Sequence, residues 1–203
     1  MLNVALTGNV AAGKSTVTEL FRRWGATVVD SDAVVRDLQQ PGAPVLQAMV
    51  EEFGPGILTD AGTLDRAAVR RLIVADDDAR TRLNALVHPA VRTRRLAAAA
   101  EARARGDRIL VSDIPLLFEA ADPAEFDLIV LVDAPEAVRR TRLVERGLTE
   151  ADSRALMAAQ APAAPKRHRS DYVIDNSGTL SDLELAARTV WRAIEARASA
   201  DTA

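Results

Sequence analysis

The sequence predicts an α/β fold, a three-layer α/β/α sandwich built on a five-stranded parallel sheet. Short apolar runs rich in Val, Ile and Leu alternate along the chain with segments whose apolar residues recur at helical spacing. Continuous apolar runs of this kind are typical of parallel strands that are covered on both faces. With 203 residues, 48% of them hydrophobic, the chain is long enough to bury such a core without disulfides.

The first 60 residues contain two predicted strands and two predicted helices. An apolar run over residues 3–7 ends at a glycine, and a second run covers 27–30, as expected for buried strands. Between them, apolar residues spaced i, i+3, i+4 and i+7 predict a helix over 15–24. The next helix is centred on 45–53 and is stopped by Gly54-Pro55-Gly56.

Residues 64–105 give no strand signal and are predicted to be helical. Three pieces fit the pattern, one around Val69, one around Leu83 and a long one after Pro89. The stretch is too long for a single crossover between strands, so we interpret it as a helical insert on the α/β core. The predicted division is a core of about 1–60, 106–135 and 166–203, an insert of about 61–105 and a lid of about 136–165.

The second half of the chain supplies the other three strands, over 108–113, 128–132 and 172–175. A helix dense in arginine is predicted over 135–146. Thr149-Glu-Ala-Asp152 and Ser181-Asp-Leu-Glu184 resemble capping boxes for the helices that follow them.

Composition excludes several kinds of site and partner. The chain has no cysteine, which excludes thiolate zinc sites and cysteine nucleophiles. It has only two histidines, which argues against a histidine-based metal site. A net charge of -3 argues against nucleic-acid binding. No window holds eighteen uncharged apolar residues, and the amino terminus lacks the pattern of a signal peptide. We therefore expect no membrane span and a cytoplasmic protein.

The strongest motif follows the first predicted strand. Gly8-Asn-Val-Ala-Ala-Gly13-Lys14-Ser15 fits the phosphate-binding pattern G-x-x-x-x-G-K-[ST], with a strand before it and a helix after it. The glycines let the backbone turn its N–H groups toward phosphate oxygens, and the helix adds the positive end of its dipole. Lys14 is expected to meet the β- and γ-phosphates of ATP, and Ser15 is suited to hold Mg²⁺.

Among phosphate-loop proteins, the sequence favours a small-molecule kinase. A GTPase of the Ras type needs an Asn/Thr-Lys-x-Asp motif, and neither of the two lysines, Lys14 and Lys166, lies in one. The length also argues against large motor ATPases. A small-molecule kinase needs a core, an acceptor-binding insert and an arginine-bearing lid, and the predicted elements supply all three.

Two acidic residues at predicted strand ends are candidates for the chemistry. Asp32, in Asp30-Ser-Asp32, could orient an acceptor hydroxyl and take its proton, or it could cap a helix that starts at Ala33. Asp113 could contact Mg²⁺ through water, or it could cap its strand end. The residues alone leave both alternatives open.

Basic residues form clusters that either contact phosphates or make a solvated charged surface. His88, which precedes Pro89, is either a packing residue or a ligand contact. The basic clusters are Arg139, Arg140, Arg142 and Arg146, then Lys166-Arg167-His168-Arg169, and then Arg92, Arg94 and Arg95.

The order and spacing of these motifs resemble the dephospho-coenzyme A kinase family along nearly the whole chain. The Asp-Ser-Asp pair and the Pro115-Leu-Leu-Phe-Glu119 segment distinguish this family from ordinary nucleotide kinases. The segments that carry the resemblance are Val4–Thr16, Val28–Asp32, Gln40-Pro-Gly, Phe53-Gly, Gly62–Arg66, His88-Pro89, Pro115–Glu119, Gln160 and Asp171–Gly178.

The resemblance implies a P-loop kinase fold and transfer of the ATP γ-phosphoryl group, with Mg²⁺, to the ribose 3′-hydroxyl of dephospho-CoA. It implies that Asp32 is the catalytic base, that Lys14 is also a catalytic residue, and that Arg142 and Arg146 are catalytic arginines of the lid. Contacts to dephospho-CoA are implied for Asp32, Asp65, Arg66, His88 and Arg140. Contacts to the nucleotide are implied for Gly8, Asn9, Val10, Ala11, Ala12, Gly13, Lys14, Ser15, Thr16, Asn176 and Gly178.

The loop departs from the Gly-Gly-Ile-Gly-Ser-Gly-Lys-Ser usual in this family. Asn9, Ala11 and Ala12 replace Gly, Gly and Ser, so two residues free to adopt positive φ are lost. Two alternatives remain: a P-loop kinase for another ribose-containing acceptor, and a nucleotide-binding switch without catalysis. The sequence leaves the oligomeric state and the extent of lid motion open.

Overall fold

A computed structural model describes residues 1–200, and residues 201–203 of the last predicted core segment lie outside the described residues. The five strands are β1 Leu2–Gly8, β2 Thr27–Asp30, β3 Ile109–Asp113, β4 Leu128–Asp133 and β5 Tyr172–Asp175. They form one parallel sheet in the order β2-β3-β1-β4-β5, which confirms the predicted α/β sandwich.

Helices connect the strands and cover both faces of the sheet. Two further single turns of 3-10 helix cover Pro55–Ile57 and Pro123–Glu125. The helices are α1 Lys14–Arg23, α2 Ser31–Leu38, α3 Pro44–Phe53, α4 Arg66–Ala75, α5 Asp77–Ala104, α6 Leu117–Ala120, α7 Glu136–Glu145, α8 Glu150–Ala158, α9 Ala163–His168 and α10 Leu180–Ala200.

Burial on both faces explains why the central strands are mostly apolar. Every residue of β3 and β4 is buried. Along β1, Val4 and Leu6 join a cluster formed with α1 and α10, whereas Ala5 joins a second cluster with α6. The first cluster contains Phe21 and Trp191, whose ring centroids lie 5.2 Å apart. Burying an apolar side chain of this size stabilises a fold by about 1.5–3 kcal/mol.

The register of the sheet determines what surrounds the end of β1. Leu6 pairs with Asp113 of β3, and Gly8 pairs with Val132 of β4. A Cβ at Gly8 would lie 2.6 Å from the carbonyl oxygen of Val132, so this approach of β1 to β4 requires glycine. Because the strands are parallel, the residues that follow β1, β3 and β4 meet at one edge of the sheet.

The predicted helix boundary at Pro89 is wrong, because α5 continues through this residue. Proline removes one backbone N–H and costs about 3 kcal/mol in a helix interior. Val87 and Val91, on either side of Pro89, pack in the same apolar cluster. This shared packing favours one continuous helix, so two helices replace the three predicted pieces.

The second predicted capping box is wrong by two residues, whereas the first is confirmed. The N–H of Asp182 donates to Thr179 Oγ1 at 3.2 Å and the N–H of Thr179 donates to Asp182 Oδ2 at 2.9 Å, so Thr179 precedes α10 as its cap. Thr149 caps α8 as predicted. Ser181-x-x-Glu and Thr179-x-x-Asp both fit the pattern of a capping box. Thr179 is the cap because α10 begins at Leu180.

The chain divides into two compact units, Met1–Val29 with the residues from Ala99 onward, and Asp30–Ala98. The second unit includes residues 30–60, which the sequence-based division placed in the core. It has an apolar cluster of its own, centred on Met49 and Val69. The functional division into core, insert and lid stays a prediction. None of the helices within residues 1–200 has the length and apolar character needed to cross a membrane.

Candidate phosphate-binding site

The loop of residues 9–13 joins the end of β1 to the start of α1. Gly13 is the N-cap of α1, has a left-handed φ of 98° and supplies no side-chain cap. Within the described part of the chain, the N–H groups of Gly13, Lys14 and Ser15 meet no hydrogen-bond acceptor, whereas the N–H of Thr16 returns to Gly13 at 3.1 Å. These unsatisfied donors stand at the positive end of the α1 dipole, which is the arrangement that binds anions.

Ala11 has a backbone conformation that alanine rarely adopts. Its φ is 59°, and it is the one non-glycine residue with positive φ among residues 1–200. The left-handed region costs an L-residue about 1–2 kcal/mol. The loop thus forms without glycine at position 11, at the expense of local strain that contacts around it must offset.

Lys14 and Asp113 form an ion pair beside the loop. Lys14 Nζ donates to Asp113 Oδ1, and Thr18 Oγ1 donates to Asp113 Oδ2 at 2.7 Å. The side chains of Lys14 and Asp113 are only 14% and 9% exposed. The positive charge of Lys14 is therefore balanced by a carboxylate, and a phosphate group that engages Lys14 competes with Asp113.

The oxygen ligands next to the loop fit a magnesium ion carried by a nucleotide. Within residues 1–200, no three His, Asp or Glu side chains gather into a cage that could hold a metal ion alone. Mg²⁺ in kinases is bound by one or two protein oxygens together with phosphates and water. The exposed Ser15 and the Asp113 carboxylate, the two predicted metal residues, are ligands of that kind.

Asn176 and Arg142 contact the carbonyl side of the loop. Asn176 Nδ2 donates to the carbonyl of Ala12 at 2.7 Å. Arg142 donates to the carbonyl of Ala11 at 3.3 Å and to Asn176 O and Oδ1 at 3.0 and 3.2 Å. A methyl group at Gly13 would overlap the Asn176 amide. Both side chains thus lie against the loop, and their implied roles at adenine and at the transferred phosphate stay predictions.

Arg140, Arg146 and Gly178, which are predicted site residues of the unit that contains the loop, make none of the loop contacts just described. Arg146 is exposed and is the C-cap of α7, and Arg140 Nε lies 3.7 Å from Glu150 Oε2 on the surface. Gly178 is exposed, and a Cβ there would lie 2.7 Å from an oxygen of Asp182. This glycine therefore permits the turn into α10, whatever its relation to a nucleotide.

Asp32 lies in the first turn of α2 and is exposed. The cap of this helix is Asp30, whose Oδ1 accepts a hydrogen bond from the N–H of Ala33 at 2.9 Å. Asp30 thus takes the capping role that the sequence had left open for Asp32.

The remaining residues predicted to contact the acceptor substrate belong to the same Asp30–Ala98 unit as Asp32. Asp65 caps α4 by accepting the N–H groups of the second and third helix residues at 2.9 and 3.0 Å. Arg66 is the exposed first residue of that helix. His88 is half-buried in α5, and burial lowers the pKa of its imidazole.

Sequence reasoning missed a group of side chains that contacts the start of the loop. Lys166 is only 2% exposed, so it is not part of a solvated loop; it lies in α9, and its Nζ donates to Asn9 Oδ1 at 2.8 Å. Its Nζ also lies 2.7 Å from Glu119 Oε1. Gln160 Oε1 accepts the N–H of Val10 at 2.7 Å. The available signal was that Lys166 is one of two lysines in an arginine-rich chain.

Comparison with characterised sequences places these features in a family. The chain matches the family model described as dephospho-CoA kinase over residues 2–182. It is 40% identical over 200 residues to the dephospho-CoA kinase of Thermobifida fusca, which covers 97% of this chain and 98% of that relative. It is 45% identical over 192 residues to the dephospho-CoA kinase of Mycolicibacterium paratuberculosis, but that match covers 94% of this chain and 47% of the relative. The chain thus spans about half the length of this relative and of other mycobacterial relatives.

Solved structures agree with the fold. A protein from Thermus thermophilus superposes with a TM-score of 0.77 at 35% identity, covering 93% of this chain and 95% of the other. The dephospho-CoA kinase from Campylobacter jejuni superposes with a TM-score of 0.71 at 21% identity, covering 95% and 96%, which shows likeness of fold. Because the family model spans most of the chain and the Thermobifida relative matches it nearly end to end, the chain belongs to the dephospho-CoA kinase family.

Proposed function

We propose that the chain transfers the γ-phosphoryl group of ATP to the ribose 3′-hydroxyl of dephospho-CoA, giving CoA and ADP. The observation that carries the proposal is the loop between β1 and α1, where three consecutive backbone N–H groups at the start of α1, those of Gly13, Lys14 and Ser15, have no acceptor within the described residues. Membership of the family supports the choice of acceptor.

On the donor side, the N–H groups of Gly13, Lys14 and Ser15 bind oxygens of the polyphosphate chain. Lys14 exchanges its contact with Asp113 for one with the β- and γ-phosphates. Mg²⁺, which the family implies, would be held by Ser15 and, through water, by Asp113, and it would offset charge on the phosphate oxygens.

In the transfer step, the 3′-oxygen forms a bond to the γ-phosphorus while the bond from that phosphorus to the bridging β–γ oxygen breaks, and ADP keeps the electron pair. Asp32 orients the hydroxyl and accepts its proton. Most of the gain comes from positioning, because the transition state is loose. Arg142 and Arg146 offset the charge that develops on the transferred group. Asp65, Arg66, His88 and Arg140 are the proposed contacts to dephospho-CoA.

A panel of acceptors with Mg·ATP tests the proposed substrate. We expect mass spectrometry to detect a product one phosphoryl group heavier than dephospho-CoA, carrying the new group at the 3′ position, with little turnover of nucleosides. Equal turnover of adenosine would favour a kinase for another ribose-containing acceptor. The absence of any acceptor-dependent turnover would favour a nucleotide-binding switch.

Substitution of Asp32 by Asn tests the proposed base. The variant should keep its affinity for Mg·ATP and lose turnover by about 100-fold or more, as expected for a general base. Asp37→Asn is the matched control, because Asp37 is an exposed aspartate on the same helix. Equal losses in both variants, or normal turnover in Asp32→Asn, would remove Asp32 from the mechanism.

A further inference from the structure

Four side chains, one of them in the loop itself, are linked to one another or to the backbone at the start of the phosphate loop. They are Asn9 in the loop, Glu119 on α6, Gln160 after α8 and Lys166 on α9, and we call them the loop brace. Gln160 accepts the N–H of Val10, and Lys166 links Asn9 to Glu119. The brace holds the start of the loop, while the three donors for phosphate lie at its end.

The contacts of Asn9 fix the orientation of its amide. Lysine can only donate a hydrogen bond, so the atom facing Lys166 at 2.8 Å is Oδ1. Asn9 Nδ2 then donates to the carbonyl of Ala161 at 3.2 Å. Asn9 is 5% exposed, so water does not easily replace either partner. The side chain therefore joins the loop to the segment that carries Gln160 and Lys166.

The stability of the fold does not require a buried lysine at position 166. Removing an ammonium group from water is costly, and apolar residues of similar size often replace a buried ion pair without loss of stability. The brace does have a local role, because the neighbouring Ala11 has a φ of 59°. A strained backbone persists only where the surrounding contacts determine its conformation.

We infer that Lys166 is a positioning residue for the nucleotide, which acts through Asn9 to hold the phosphate loop in the conformation that binds phosphate. The inference rests on the nucleotide-binding half of the proposed function. Lys166 itself touches no reacting atom in this scheme. Its charge is balanced by Glu119, so its effect on the nucleotide is exerted through the geometry of the loop.

The test measures the binding of Mg·ADP by calorimetry, which needs neither acceptor nor turnover. Lys166→Met should raise Kd about tenfold, as expected for loss of a hydrogen bond from a charged group. It should raise KM for ATP in parallel, leave KM for dephospho-CoA unchanged and change kcat by less than about threefold. Asn9→Ala should act in the same direction. Arg169→Met is the matched control, because Arg169 directly follows α9 and lies over the Phe118 ring rather than at the loop.

The double variant Asn9→Ala with Lys166→Met separates this inference from a structural role. If Lys166 acts through Asn9, the double variant binds Mg·ADP about as weakly as either single variant, because both remove the same interaction. The inference is overturned if the two single effects multiply, so that the double variant has a Kd about 100-fold above that of the wild type. An unchanged Kd in Lys166→Met also overturns it. An equal loss of affinity in Arg169→Met also overturns it.

Two further measurements keep the outcome decisive. The double variant Lys166→Met with Glu119→Gln leaves no uncompensated charge in the brace. Its Tm should lie within a few degrees of the wild-type Tm, while its Kd for Mg·ADP stays raised. If the Lys166 variants do not fold, Asn9→Ala alone decides, and normal Mg·ADP binding by it overturns the inference. A wild-type chain that does not bind Mg·ADP refutes the proposed function itself, whereas binding that ignores the brace refutes only this inference.

Discussion

Two polar side chains that contact the phosphate loop are buried and paired, whereas two candidate acceptor residues of the Asp30–Ala98 unit lie at helix starts and are exposed to solvent. Lys166 and Asn176 are 2% and 5% exposed and contact the loop. Asp32 and Arg66 are exposed, and each lies in the first turn of its helix. A site whose side chains are already ordered loses little conformational entropy when its ligand binds, while exposed side chains must be ordered by theirs.

In the proposed function, the nucleotide and the acceptor would therefore meet different kinds of site. In the proposed function, the donor site is made of backbone and buried contacts that are present without a nucleotide. Asp32 and Arg66, two of the side chains proposed for the acceptor, are exposed to solvent. Substitutions at the loop should therefore change nucleotide affinity, and substitutions in the other unit should change stability or KM for the acceptor.

Gly13→Ala should have the largest effect, because the added methyl group overlaps the Asn176 amide and the φ of 98° strains any L-residue. We expect Kd for Mg·ADP to rise about 100-fold, the equivalent of a strain of about 2–3 kcal/mol. Gly25→Ala is the control, since Gly25 has a φ of 107° but nothing within 4 Å of the added Cβ. Equal losses of affinity in the two variants would show that the contact with Asn176 is unimportant.

Asp65→Ala should lower the free energy of unfolding by about 1 kcal/mol, because α4 loses its cap. Asp65→Asn keeps a capping side chain and should retain that stability. If Asp65 also contacts dephospho-CoA, both variants raise KM for the acceptor and neither changes Kd for Mg·ADP. A normal acceptor KM in both variants would confine Asp65 to capping. Chemical denaturation and steady-state kinetics supply the two readouts.

Ala11→Gly should raise the free energy of unfolding by about 0.5 kcal/mol, because relief of the left-handed strain exceeds the added entropy of the unfolded chain. Ala12→Gly is the opposite case, since Ala12 does not have positive φ, and it should lower stability by about 0.5–1 kcal/mol. Denaturant titration of the two variants against wild type checks the signs. A loss of stability in Ala11→Gly would mean that the strain at this position is negligible.

The smallest effect is expected from His88. Burial lowers the pKa of its imidazole, so the unfolded chain binds a proton at pH values where the folded chain does not. The contribution of His88 to stability is therefore complete above its ordinary pKa of about 6.5 and is lost as pH falls toward the lowered value. His88→Gln should show a smaller drop in Tm between pH 7.5 and 5.5 than wild type. An identical drop in both proteins would assign the pH dependence to other groups.

The parts of the site that could be predicted are those that depend on neighbours in sequence. The spacing of glycines, Lys14 and Ser15 predicted the loop between a strand and a helix, and the structure has it there. Strand ends were also predictable, so Asp113 was correctly expected at the end of a strand. The partners of buried polar groups were not predictable, because they are distant in sequence. Lys166 and Asn9 are 157 positions apart, and Asn176 and Ala12 are 164 positions apart.

Sequence patterns alone were enough to predict the alternation of strands and helices, the position of the phosphate loop and the family. These follow from the periodicity of apolar residues and from local backbone demands, which a few neighbouring residues are enough to express. Three features became clear only from the folded chain: α5 continues through Pro89, Thr179 rather than Ser181 caps α10, and Lys166 is buried against Asn9. In each case local preference allowed more than one outcome, and the free energy of packing distant segments together selected one of them.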